Sequence, residues 1–257
     1  MKKFLIIRNF IFKRNIKLFK NEYNWNYKLI SNPYRKIKTV FNLEIAAFFL
    51  FLLDKTKIKP NQVTLFGVLW VYLGAVLISL DINYLTWAGL AIFFTKLIPD
   101  YIDGSLAHLK NQQSTDGFEL DLWAGDVNKI GVIVGTIIYI YNSTLNIEYL
   151  YILLILVIFN MIDPRKHLSR TKFGVSVYKK ELQTHTLKIN SSKSIVVNFL
   201  KFFNYDGKTS YSDFIILLII IDLTYQVNNV LIILPWIWLC LSLLALLRAV
   251  SIVFYNK

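Results

Sequence analysis

Cysteine is almost missing from this chain. Cys240 is the single one in 257 residues and stands in an apolar run, so no disulfide framework exists and cysteine usage carries no information on the redox compartment. Acidic side chains are scarce as well: 16 Asp and Glu stand against 29 Lys and Arg, a formal net charge of +13. Residues 1–41 hold one acid, Glu22, against eleven Lys and Arg. Internal repeats and low-complexity linkers are absent, which excludes repeat architectures. The opening Met1-Lys2-Lys3 has the look of a signal n-region, but Arg8 and Lys13-Arg14 cut the apolar runs behind it, which argues against a cleaved signal.

What is abundant is apolar surface. A 55% apolar composition and a mean hydropathy of +0.47 are too greasy for a soluble domain of this length and point to an integral membrane protein. With about 20 residues per span, the expected fold is all-α, a polytopic bundle of six transmembrane helices. The spans are expected near Gln62–Leu80, Tyr84–Leu109, Gly117–Tyr141, Ile147–Ile162, Ser212–Tyr225 and Val230–Phe254. Asn42–Leu53 is apolar but too short to span, so an interfacial amphipathic helix is expected there, with Asn61 as the N-cap of the first span. The domain division is a basic arm, residues 1–41, followed by a six-helix membrane domain, residues 42–257.

Charge orients the bundle. The basic arm carries Phe, Ile, Leu and Trp between its charges, so anionic lipid headgroups are expected as its partner rather than nucleic acid. The segment Pro164–Ser194 holds eight Lys and Arg and one acid, Glu181, whereas Asp81–Asn83, Asn142–Asn146 and Gln226–Asn229 hold no Lys or Arg. The positive-inside rule then places the arm, the Pro164–Ser194 loop and the turn between the second and third spans in the cytoplasm.

That turn joins the residues with most chemical content. Asp100 and Asp103 lie one helical turn apart at the edge of an apolar stretch, where an unused charge is costly. Asp121 follows a short polar turn. Three carboxylates converging from two neighbouring helices suit a hard divalent cation, and Gly104 leaves room beside the backbone for a bulky ligand. The polar-cap reading of these acids fits the spacing less well. Asp222 and Arg248 read as a structural pair within the fifth and sixth spans. His167 and His185 read as solvated, Asp163 as a span end, and Trp236 and Trp238 as interface or packing residues.

The whole pattern resembles the signature of the CDP-alcohol phosphatidyltransferase family, D-x-x-D-G-x-x-A-R-x8-G-x-x-x-D-x-x-x-D. Asp100, Asp103, Gly104, Ala107, Gly117 and Asp121 match in register, and Pro60-Asn61-Gln62-Val63-Thr64 extends the likeness. The resemblance implies transfer of a phosphoalcohol group from a CDP-linked donor to an acceptor hydroxyl with release of CMP, in phospholipid or related lipid synthesis. It implies two divalent ions, Mg2+ or Mn2+, held by Asp100, Asp103 and Asp121. It further implies contacts to the CDP moiety from Thr64, Gly104, Ala107, His108 and Gly117, an active site facing the cytoplasm, and room for a homodimer. Two positions depart from it. His108 stands where the family has Arg, and Gly125 stands at the last acidic position, with Asp126 one residue late. Asp126 is expected to serve as general base, with a local π-bulge between Asp121 and Lys129 that could turn it toward the metals and with Asp116 and Glu119 in reserve. Lys96, Lys129, Arg165 and Arg170, with Lys166 and Lys172, are candidates for phosphate or acceptor contacts. The competing readings are a non-catalytic nucleotide-binding relative and a small cation-coupled transporter.

Overall fold

The computed structural model describes residues 2–23, 33–162, 210–225, 231–240 and 242–243. All regular structure among them is helical. The helices are α1 (Lys2–Tyr23), α2 (Pro33–Leu53), α3 (Pro60–Ser79), α4 (Asn83–Thr95), α5 (Ile98–Leu109), α6 (Thr115–Thr144), α7 (Glu148–Ile162), α8 (Ser210–Tyr225) and α9 (Leu231–Cys240). Among the described residues, α3 and α6 are long and apolar enough to cross a membrane. On α3, Leu65, Leu69, Leu73 and Val76 form an exposed apolar stripe at helical spacing, the kind of face that lipid covers. Helices α7, α8 and α9 are apolar but shorter.

Two sequence expectations change here. The second span is not one helix: α4 ends at Thr95 and α5 restarts at Ile98. Pro99 is the cause. It has no N–H to donate, and its ring collides with the carbonyl four residues back, so a helix kinks or breaks at such a residue, and here it breaks. It sits instead in the first turn of α5, where that N–H would have no partner anyway. The apolar Asn42–Leu53 segment is the C-terminal part of a longer helix, α2, which begins at Pro33, so residue 41 lies inside a helix.

The chain divides into two compact units, Met1–Leu73 with Ala91–Asn128, and Gly74–Leu90 with Lys129–Lys257. The first has a core of Ile7 and Ile11 from α1, Leu43, Ala46, Ala47 and Leu50 from α2, Val63 from α3, and Ile98, Tyr101, Ile102 and Leu106 from α5. Two ion pairs also tie α1 to the α2 region, Arg8 with Glu44 and Lys3 with Asp54, the latter at 2.8 Å. Partly exposed pairs contribute roughly 0.2–1 kcal/mol each, whereas burying one Ile or Leu contributes about 1.5–3 kcal/mol. The apolar seam therefore holds α1 in place and the ion pairs orient it.

In the second unit, helices approach closely at small residues. A Cβ on Gly135 would stand 2.7 Å from Ala75 Cα and 2.8 Å from Ala75 O, so the α6 and α3 backbones meet there. Buried Asp222 accepts a hydrogen bond from Tyr139 Oη at 2.7 Å. That hydroxyl is the partner found for Asp222 among the described residues; Arg248, the expected one, lies outside them. Trp238 is buried and Trp236 exposed.

Candidate active site

The site is assembled by a helix–turn–helix within the first unit. Helix α5 ends in a left-handed residue, Asn111, with φ 53°. The Gln112 N–H donates to Ala107 O at 2.9 Å and the Asn111 N–H to His108 O at 3.3 Å, the paired bonds of a Schellman ending. Asn tolerates that conformation because its short polar side chain can bond locally. Three residues after Asn111, Ser114 opens α6: its Oγ accepts the Gly117 N–H at 3.0 Å, capping the new helix. The polar run 110–114 is thus a stop signal followed at once by a start signal, and it folds α6 back beside α5.

The reversal brings the three acids together. One carboxylate oxygen each from Asp100, Asp103 and Asp121 lies within 4.8 Å of the others. Asp100 is exposed, Asp121 half-buried, and Asp103 buried at 5% exposure. Both Asp103 oxygens are engaged. Thr64 Oγ1 donates to Oδ2 at 2.6 Å, and the Gly104 N–H donates to Oδ1. These bonds fix the rotamer of a carboxylate that points at the other two, as ligand-orienting hydrogen bonds do at metal sites. An all-carboxylate oxygen set fits a hard divalent cation such as Mg2+ or Mn2+.

Thr64 is placed by the start of α3. Pro60 occupies the first helical position, and Gln62 Oε1 accepts the Lys59 N–H at 2.9 Å, half of a capping box. The helix therefore begins two residues earlier than expected, and Asn61 is inside it rather than its cap. Lys110 Nζ donates to Thr56 O and Ile58 O, both at 2.8 Å, and ties the segment before α3 to the turn after α5. Sequence reading missed this staple, because nothing near Lys110 marks carbonyls more than fifty residues away as its partners.

The remaining expected residues separate. Ala107 is partly buried on α5, and exposed His108 contacts the side chain of Gln113 in the turn. Gly117 lies in the first turn of α6. Lys96 falls in the break between α4 and α5, and Lys129 is exposed on α6. Arg165, Lys166, Arg170 and Lys172 lie outside the described residues, as do Asp163, His167 and His185. Asp116 and Glu119 are exposed at the start of α6. Helix α6 is α-helical from Thr115 to Thr144, so the expected π-bulge is not found. Asp126 then stands about 140° around the helix from Asp121. At position 125, a Cβ would meet nothing within 4 Å.

One residue enters the site from a part of the chain not expected to reach it. Arg14 of α1 lies beside the motif glycine: a Cβ on Gly104 would stand 2.7 Å from Arg14 Nη2 and 3.0 Å from Nη1. Arg14 Nη1 donates to Ser105 Oγ at 3.1 Å. The room expected beside Gly104 for a ligand is therefore lined by a guanidinium. A signal was available, since Ile7, Ile11 and Arg14 share one helical face and the first two are buried.

The model of the CDP-alcohol phosphatidyltransferase family matches residues 57–243. The chain belongs to that family. No curated protein and no solved structure matches it. The matched segment contains the whole Asp100–Asp121 motif and leaves out α1. Two apolar helices long enough to cross a bilayer, taken with the family, indicate a membrane protein.

Proposed function

We propose that this protein transfers a phosphoalcohol group, such as a phosphatidyl group, from a CDP-linked donor to an acceptor hydroxyl and releases CMP in lipid synthesis. The observation that carries the reading is the convergence of Asp100, Asp103 and Asp121 within 4.8 Å, with Asp103 clamped by Thr64 and Gly104. Two divalent cations held by these carboxylates would offset the charge of the donor diphosphate and of the transition state. The acids arrive on two helices joined by a short, doubly capped turn, so little ordering is left to be done when substrate binds. Thr64 keeps Asp103 aimed into the site. Gly104, Ala107 and His108 on α5 and Gly117 at the start of α6 would contact the CDP moiety. Asp126 is the proton acceptor in this reading, from a position about 140° around α6 from Asp121. The decisive experiment supplies purified protein with labelled CDP-diacylglycerol and a panel of alcohols and follows CMP. Divalent-dependent CMP release with one of them is expected; none with any alcohol, or with soluble CDP-alcohols and lipid acceptors, overturns the reading.

One observation favours a second reading. The last acidic position is glycine and α6 is regular there, so a relative that binds nucleotide without turning it over would look the same. It predicts saturable CDP binding with no CMP release.

A six-span bundle completes the proposal, with the arm and the Pro164–Ser194 loop against anionic lipid on the cytoplasmic side, where soluble nucleotides are met. A single cysteine placed at residue 179 in a Cys240→Ser background should react with impermeant maleimide only from the cytoplasmic face. Labelling from outside would reverse the topology.

A further inference from the structure

We propose that Arg14 is the cation that binds the donor diphosphate, taking over from the first helix the charge that the family motif carries at position 108. The inference rests on the CDP-alcohol reading above and names a residue outside the segment that the family model matches.

Three observations converge on it. First, the motif has lost its own arginine: position 108 is His, exposed, and in contact with Gln113. Second, a guanidinium stands at the same turn from another direction. It fills the side of Gly104 that a Cβ would block and bonds Ser105, next to the clamped Asp103. It thus stands against α5 within about one turn of position 108, the position that holds the family's arginine. Third, the approach is built rather than incidental. Ile7 and Ile11, at 4% and 0% exposure, seat α1 in the unit core, and Arg8 with Glu44 and Lys3 with Asp54 tie it to the α2 region.

The chemistry suits the role. A planar guanidinium presents paired N–H donors that match phosphate oxygens in a fork, and it keeps its charge at any physiological pH. Imidazole at position 108 offers neither. Gly104 then has a specific use, because any side chain there would push the guanidinium off the motif.

The test measures CDP binding by calorimetry on the full-length protein in detergent, with Mg2+ present, for wild type, Arg14→Gln, Arg14→Lys, His108→Arg and the double variant Arg14→Gln/His108→Arg. Arg14→Gln should weaken CDP binding by about tenfold to a hundredfold, the loss expected of a charge-assisted bond, and flatten its salt dependence. Arg14→Lys should fall between, since it keeps charge without the fork. The double variant should regain most of the affinity, which a purely structural role for Arg14 would not allow. If Arg14→Gln fails to fold, Arg14→Lys decides: affinity equal to wild type overturns the proposal. Unchanged or tighter binding in Arg14→Gln also overturns it, the tighter case marking Arg14 as an obstruction. Failure of the broader reading looks different: wild type itself then binds no CDP.

Discussion

Replacing Asp103 with Asn is expected to cut divalent-dependent CMP release by about three orders of magnitude, the equivalent of several kcal/mol of lost electrostatic stabilisation. The change removes one negative charge and almost no volume. Asp103 is buried, so its charge acts with little screening by water. The fold should survive, because the hydroxyl of Thr64 can rotate to accept from the new amide where it now donates to Oδ2. Asp100→Asn and Asp121→Asn should show the same loss, and chelation should reproduce it reversibly in wild type, with activity restored by Mg2+ or Mn2+. The measurement is CMP release against divalent concentration, with circular dichroism to confirm folding. Near-normal turnover in any two of the three variants would remove these carboxylates from the chemistry.

The second large effect concerns proton removal. Asp126→Asn is expected to lower turnover by about 10²- to 10⁴-fold, the usual range for loss of a positioned base, with little change in CDP affinity. The geometry also predicts a rescue. Position 125 lies about 40° around α6 from Asp121, and a Cβ there would meet nothing within 4 Å. Gly125→Asp in the Asp126→Asn background should therefore restore much of the lost turnover, and in the wild-type background it should be tolerated structurally. A fully active Asp126→Asn variant would show that another group takes the proton. An inactive wild type that Gly125→Asp converts into a transferase would instead identify a nucleotide-binding relative lacking only its base.

The cluster of three carboxylates was legible because its information is local. Two acids one turn apart, a glycine and a third acid after a polar turn specify helix faces through spacing alone, and the structure brings those three carboxylates together. The apolar runs around α3 and α6 were legible for a similar reason, since hydropathy sums over a window. Hydropathy could not register the break at Pro99, because Tyr84–Leu109 is apolar on both sides of it and one missing N–H leaves no trace in an average. The α6 backbone was misread in the opposite sense: a displaced aspartate suggested a bulge, but a permissive glycine does not by itself unwind an α-helix. Arg14 was hidden by distance. Its partner Ser105 lies 91 residues away, and in a run of eleven cations nothing in composition marks the one that turns inward. The face it shares with buried Ile7 and Ile11 is the one sequence signal that points it inward.

The capped reversal between α5 and α6 has a consequence for how this chain can change over time. Surface turns ordinarily absorb insertions and deletions. Here the Schellman ending fixes the last residue of one helix and Ser114 fixes the first turn of the next, so the eight residues between His108 and Gly117 leave no slack. One residue added within the first turn of α6 would rotate everything after it by about 100° and swing Asp121 away from Asp100 and Asp103. Substitutions in the exposed Asn111–Thr115 stretch are therefore far cheaper than changes of its length. The gap in the motif behaves as a ruler, and descendants of this sequence should vary its letters while keeping its count.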